Sequence, residues 1–375
     1  MEKQHKESDL KRAFTEDGQV KTHVGGQALI EGIMMRGKYN WSVAVREPSQ
    51  NIYTEEHDLS SGKKQNSWMY WPLIRGCRAF VESLMLGYKA LEVAALHAYA
   101  DDEMQEEMAE DETFGKKEMA ISLIFGLLLG VGLFIVLPAV IANLLVGEYD
   151  GHTFTWNMVD GIVRVAIFVF YIWLIGRMKD IKRMFGYHGA EHKTIHCYEH
   201  GLPLTPENAR SFSRLHVRCG TAFLIMVMII AIFVYTILPI NPLIAALGVP
   251  DGPLKLLLVI FVRILFIPVI AGVSYEITVR WAGSHPENPL VKVVLWPGMQ
   301  MQYLTTREPD DGMLECAIAA MKLVLEREER EESEEREECE ERKECEERKA
   351  AQKQTDGAAQ NLMGEATQGQ TASDV

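Results

Sequence analysis

Four apolar stretches, at residues 119–141, 159–178, 221–240 and 254–273, limit what this chain can fold into more than any other feature. Each supplies the roughly 20 residues that a bilayer's hydrocarbon core demands, and 121–137 and 222–239 contain no charged side chain. The expected fold is mostly α: a polytopic membrane protein with four transmembrane helices, a small N-terminal β-hairpin region and cytoplasmic amphipathic helices. Bulk composition conceals this. A hydrophobic share of 48% and a mean hydropathy of −0.03 suit a soluble protein, because the last fifty residues are dominated by Glu, Arg, Lys and Gln.

The connecting segments set an orientation. Residues 147–158 and 241–252 hold no Lys or Arg, whereas Arg177, Lys179, Lys182, Arg183, Lys193, Arg210, Arg214 and Arg218 lie between the second and third stretches. Positive residues stay on the cytoplasmic side, so a multi-pass protein of the cell membrane with both termini cytoplasmic is expected. Residues 1–20 are charged throughout, and no cleavable signal peptide is expected. The six cysteines form no CxxC pair and point to reduced thiols. The net charge of −14 comes largely from the tail and the acidic cluster at 101–112, which argues against a nucleic-acid partner. Two arginines interrupt the stretches. Arg164 is near enough to a span end to snorkel, while Arg263 lies mid-span, where a charge faces a buried partner or a substrate. No carboxylate within the stretches is singled out as its partner.

The expected divisions are a disordered N-terminus (1–22), a small β-rich cytoplasmic region (23–67) and an amphipathic interfacial helix with an acidic linker (68–117). A four-helix transmembrane core (118–273) follows, with a cytoplasmic His-rich loop at 179–220. A cytoplasmic helical region (274–325) and a charged helical to disordered tail (326–375) complete the chain. Ile74, Phe80, Leu84, Tyr88, Leu91 and Ala95 are spaced toward one helix face, which suits a helix on the membrane surface or packed under the bundle. Thr205 before Pro206 is an expected helix N-cap, and Thr305 with Glu308 an expected capping box. A break is expected near Pro297-Gly298, and disorder from Gln352 onward.

Chemistry concentrates in Tyr187-His188-Gly189-Ala190-Glu191-His192-Lys193. On a helix His188, Glu191 and His192 share one face, and HxxEH is the spacing of the inverted zinc-hydrolase motif. There two imidazoles hold the ion and the carboxylate handles a proton from water. A third protein ligand must come from elsewhere. His216 and Cys219 precede the third stretch and Glu276 follows the fourth, all at the same membrane face, and Glu31 is a further candidate. His196 and His200 rotate away by about 40° per four-residue step and are expected to support the ligands from behind, face headgroups or lie in solvent instead of binding the same ion. Cys197 suits a small core residue.

These segments, with Gly25-Gly26-Gln27-Ala28, Glu31-Gly32-Ile33-Met34-Met35-Arg36, His216-Val217-Arg218-Cys219-Gly220-Thr221, Gly272-Val273-Ser274-Tyr275-Glu276 and Thr305-Thr306-Arg307-Glu308-Pro309-Asp310-Asp311, resemble a bacterial multi-pass membrane protein family of unknown function. That family is commonly described as predicted metal-dependent enzymes. The resemblance covers about 24–325 and departs from the family pattern at Val217, where proline is usual.

The expected function is an integral-membrane metal-dependent enzyme, a hydrolase at the cytoplasmic face using a divalent metal, zinc by ligand type. Glu191 would be the general base. His188 and His192, with His216, Cys219 or Glu276, would hold the metal. Lys193, Arg183 and Arg218 would orient an anionic or lipid-like substrate, with Glu31 and Arg263 as possible additions. Membrane lipid is an expected partner. One alternative is a non-catalytic assembly or interaction protein that recruits a protein partner through the acidic tail. Another is a membrane di-iron oxidase, which typically needs paired histidines that this chain lacks.

Overall fold

The computed structural model describes residues 9–15, 22–59, 71–99, 112–147, 153–238, 243–244, 247–250, 252–282, 285 and 288–370. After a short helix, α1 (Asp9–Thr15), four strands form an antiparallel meander. They are β1 (Gly25–Leu29), β2 (Gly32–Arg36), β3 (Asn40–Arg46) and β4 (Ile52–Asp58), so the expected hairpin is a four-stranded sheet. Leu29 pairs with Gly32, leaving the two-residue turn Ile30-Glu31, in which Glu31 adopts φ 49. Gly32 has no room for a side chain, because a Cβ there would lie 2.5 Å from the Ala44 carbonyl of β3.

Helix α2 (Ile74–Tyr99) covers this sheet. Its buried stripe is Leu86, Ala90, Ala94 and Ala98, which packs on Leu29, Met34, Trp41, Val43 and Val45. The four-residue period of small side chains lets the helix sit close to the strands. The face picked from the sequence turns partly outward, since Leu84 and Leu91 are exposed. Apolar residues surround α2, and sheet contact, not hydrophobicity alone, decides which side is buried.

The apolar helices follow. They are α3 (Glu112–Val131), joined through a π-helical turn at Gly132–Val136 to α4 (Leu137–Val146), and then α5 (Thr153–Ile175). The polar helix α6 (Lys179–Glu199) and short α7 (Pro206–Arg210) separate these from α8 (Gly220–Ile237) and α9 (Pro253–Tyr275), and a π-helical segment at Glu276–Ala282 extends α9. Among the described residues, three segments are long and apolar enough to cross a membrane: Ile121–Val146, Phe154–Ile175 and Leu254–Ala282. The expected fourth appears as a shorter apolar helix, Phe223–Ile237. Helix α8 itself begins where expected and stops early. Cys219 caps its start, and Leu238 is extended at ψ 125 because the following Pro239 excludes the helical conformation. Ala139, Ala142, Trp156 and Ile260 join α4, α5 and α9, and Met226, Ile230, Tyr235, Val259 and Ile270 join α8 and α9.

Helix α10 (Pro289–Thr305) runs uninterrupted through Pro297, against the expected break. It ends at Thr305, so no capping box forms there; Asp310 Oδ1 instead accepts from the Met313 amide (2.9 Å) and caps α11 (Asp311–Gln370). Thr205 does cap α7 as expected, accepting from the Asn208 amide. The chain divides into two compact units, Met1–Val324 and Leu325–Val375. In the first, α11 docks on β3 through Ser42 Oγ to the Ala320 carbonyl (2.8 Å), with Leu314, Ala317, Met321 and Val324 buried. The second unit is a charged helix with pairs such as Arg327 to Glu331 (2.8 Å). It stays helical to Gln370, past the point where disorder is expected from composition.

Candidate metal centre

Helix α6 is polar in sequence yet buried from Phe185 to Cys197. Glycines make this possible. A Cβ on Gly189 would collide with the Arg307 carbonyl, and one on Gly186 would lie 2.6 Å from Met313 Sδ. The strand-like connection after α10 therefore runs directly along α6, fixed by the Arg307 amide donating to the Phe185 carbonyl (2.8 Å).

That close packing supplies the carbonyls that orient two imidazoles. His188 Nδ1 bonds the Thr305 carbonyl at 2.8 Å, and His192 Nδ1 bonds the Arg214 carbonyl at 2.6 Å. A carbonyl can only accept, so each Nδ1 carries a proton and each Nε2 is the atom left to meet a ligand. His188 Nε2 lies 3.2 Å from Cys219 Sγ. His192 Nε2 is buried and makes no hydrogen bond among the described residues. One ligand atom from each of His188, His192 and Cys219 lies within 4.8 Å of the others, and all three residues are buried.

The donor set fits a metal. Zn–S near 2.3 Å and Zn–N near 2.0 Å across a tetrahedral angle place sulfur and nitrogen roughly 3.5 Å apart, close to the separation seen for His188. Carbonyl-fixed Nδ1 atoms are the usual outer support of ligating histidines. Two nitrogens and a thiolate leave a fourth position open.

Electrostatics agree with the geometry. Burial would raise the Cys219 thiol, but His188 and His192 beside it hold it well below the usual thiol range. Burial would likewise lower His188, and Cys219 followed by Glu191 overturns this, raising it to about 9, so a metal would replace the proton held between His188 Nε2 and the Cys219 thiolate. Glu191 is raised by burial, against the pull of His188, His192 and the Gly26 amide. The Gly26 amide donates to Glu191 Oε1 (2.9 Å), and a Cβ on Gly26 would lie 2.8 Å from the Glu191 carboxyl carbon. Strand β1 thus holds the carboxylate in place.

A second buried group, His196, Glu199 and His216, adjoins the first. The rings of His192 and His216 are 5.6 Å apart. Its chemistry differs. The Arg218 amide donates to His216 Nδ1 (3.2 Å), so the proton of a neutral ring is on Nε2, which faces Glu199 Oε2 at 3.8 Å. Burial, then His196, Arg218 and His192, depress His216 well below the usual imidazole range and keep it neutral. Glu199 also accepts from the Thr22 amide (3.2 Å) and the Arg218 guanidinium. Gln302 anchors the His216 backbone with two 2.8 Å bonds. This group is a carboxylate–imidazole pair rather than a second set of lone pairs.

The structure thus joins His188, Glu191, His192 and Cys219 and seats His216 beside them. Other candidates are engaged elsewhere. Glu276 pairs with Arg75 through Nε (2.7 Å), and Glu31 with Arg183 (2.6 Å). Lys193 donates to the Arg210 and Phe212 carbonyls (3.0 and 2.6 Å) and pairs with Glu308 (3.0 Å), bracing the segment before His216. Arg218 pairs with Glu199. Arg263 pairs with Asp160 (2.7 Å), a carboxylate inside the second stretch whose sequence signal is its place one turn before Arg164. His196 is neither at the headgroups nor in solvent but buried behind the site, with Nε2 on the Leu215 carbonyl (3.0 Å), whereas His200 is exposed. Cys197 is buried, as a small core residue would be.

Membrane-length apolar helices, together with a buried His–His–Cys cluster on a separate polar helix and the cap of α8, define a class of mostly helical, membrane-type proteins. Within it, the chain belongs to the family described as "Protein of unknown function (DUF1385)", which matches residues 71–327. It is similar to the "Uncharacterized protein YqhQ" of Bacillus subtilis (strain 168), at 32% identity over 315 residues, covering 82% of this chain and 94% of that protein. No solved structure matches it.

Proposed function

We propose that this chain is a four-span membrane protein, with α8 as the short fourth span and both termini cytoplasmic, that works as a metal-dependent hydrolase at the cytoplasmic face. The observation that carries the reading is the pair of imidazoles whose Nδ1 atoms are taken by carbonyls and whose Nε2 atoms converge on a thiolate-prone Cys219. Three such ligands of mixed nitrogen and sulfur character suit zinc.

A bound zinc ion supplies Lewis acidity and a more acidic water. The chain supplies the proton handling. Glu191, its carboxyl raised by burial, is the group placed to accept a proton from water and return it to a leaving group. The Gly26 amide fixes the direction of its carboxylate. Arg183, Lys193 and Arg218 have intramolecular partners, so the reading assigns them to the frame around the site instead of to the substrate.

The test is metal analysis of the full-length chain purified in detergent. Wild type should carry one zinc per chain, with His188→Ala, His192→Ala and Cys219→Ser each largely empty and Glu191→Gln still loaded. Absence of stoichiometric divalent metal from wild type, or full loading of the double histidine variant, would sink the reading. Reporter fusions in 147–158 and 241–252 should be active only outside the cytoplasm.

A further inference from the structure

Where α5, α8 and α9 pack together, two permanent cations share one carboxylate. Asp160 Oδ2 accepts from both Arg164 Nη2 (2.8 Å) and Arg263 Nη1 (2.7 Å). Arg263 also donates to Asn157 Oδ1, and its guanidinium lies 4.8 Å from the Trp156 ring centroid and 4.9 Å from that of Tyr235. Asn157 in turn donates to the Tyr235 carbonyl (2.9 Å), so α5 and α8 both hold Arg263 in place. No other ion pair reaches Asp160, Arg164 or Arg263 among the described residues. Arginine keeps its proton in proteins. One positive charge therefore stands unbalanced about midway along apolar helices, where an unpaired charge is costly and marks a functional site.

The excess lies on the Arg164 side. Arg263 is enclosed, with 2% of its side-chain surface exposed, whereas Arg164 retains 10%. The bond to Asp160 is Arg164's one hydrogen bond among the described residues, out of five donors in its fork. The outer surfaces of α5 and α9 are apolar: Ile162, Leu257, Phe261 and Leu265 are all exposed. A free ion would have to shed its water along that surface, while an amphiphile brings an apolar chain to cover it.

We propose that Arg164, backed by Arg263, binds the headgroup of an amphiphile with a net charge of minus one: the phosphodiester of an anionic phospholipid, with no cation beside it, or a fatty-acid carboxylate. The site requires α5, α8 and α9 to span the membrane, but it is independent of the metal centre. Charge arithmetic makes the substitutions opposite in sign. Arg164→Gln leaves Asp160 and Arg263 matched one to one; Asp160→Asn leaves both arginines uncompensated.

The experiment titrates the full-length chain, purified in nonionic detergent, with phosphatidylglycerol, oleate, phosphatidylcholine and sodium phosphate, reading retained ligand by native mass spectrometry. Wild type should hold one phosphatidylglycerol or oleate at least about fivefold tighter than phosphatidylcholine, the weight of one arginine against an acidic lipid. Retention of phosphatidylglycerol alone identifies a phosphodiester site, and of oleate alone a carboxylate site. Arg164→Gln should erase the preference, Asp160→Asn should enlarge it, and Arg164→Lys, which keeps the charge should the Gln variant unfold, should preserve it. Zinc content should be unchanged in all three. Equal binding of phosphatidylglycerol and phosphatidylcholine by wild type, a preference that survives Arg164→Gln, or displacement by inorganic phosphate at equal concentration would each overturn the site. Extraction of the chain from membranes by carbonate would overturn it together with the membrane reading.

Discussion

At Gly189 the whole centre depends on one hydrogen atom in place of a side chain. A methyl group there would collide with the Arg307 carbonyl and push away the backbone whose Thr305 carbonyl orients His188. Gly189→Ala should therefore cost about 3 kcal/mol by overpacking and lower zinc content, read as thermal midpoint and metal per chain; a variant with both unchanged would contradict the packing argument. Cys197 tests the opposite property, inertness. Burial pushes its thiol up to about 11, so only about a thousandth is thiolate at pH 8, a share that rises tenfold per pH unit until about 11. Native chain treated with N-ethylmaleimide at pH 8 should label exposed Cys339 long before Cys197, as peptide mapping would show. The sequence made the His188, Glu191 and His192 face legible because helical spacing is local. It left the Thr305 and Arg214 carbonyls unseen, because any residue has a carbonyl and only the fold decides which one an imidazole meets. Asp160 carried a local signal, its four-residue step to Arg164.

Elements are set by contacts between segments far apart in sequence. Helices α2 and α9 cross where a Cβ on Gly76 would lie 2.8 Å from the Gly272 Cα, and the Arg75–Glu276 pair closes the crossing at one end. This arrangement takes Glu276 out of the ligand set suggested by its place after the fourth stretch. Both partners are about a quarter exposed, so Glu276→Gln should cost about 1 kcal/mol or less and leave zinc content at the wild-type level. Loss of zinc from this variant would return Glu276 to the centre. Hydrophobic length revealed the apolar helices but not their ends. The third stretch stops at Ile237 because Pro239 dictates the conformation of Leu238, a local rule that mean hydropathy along the stretch does not register. The sheet is partly legible: Trp41-Ser42-Val43-Ala44-Val45 in β3 and Ile52-Tyr53 in β4 carry strand-forming residues, while β1 and β2, rich in glycine and methionine, take their strand form from pairing with each other and, for β2, with β3.

On the scale of the whole molecule, the division at Val324 separates a packed unit from a charged helix, and composition alone already placed that boundary near 326. The apolar spacing of Met313, Leu314, Ala317, Met321 and Val324 ends there, and these side chains are buried in the first unit. Past Leu325 the helix is sustained by pairs such as Arg327 to Glu331, each contributing only a few tenths of a kcal/mol, with no comparable apolar stripe. A chain ending at Val324 should accordingly lose no more than about 0.5 kcal/mol, the usual range for changes that touch no core, and keep one zinc. Denaturant unfolding and metal analysis of the shortened protein check both. If zinc is lost with the tail, the centre depends on Leu325–Val375 and the three-ligand account fails. If zinc stays and stability falls by several kcal/mol, the tail contributes to the first unit's fold, and the boundary marked by the end of the apolar stripe is not an energetic one.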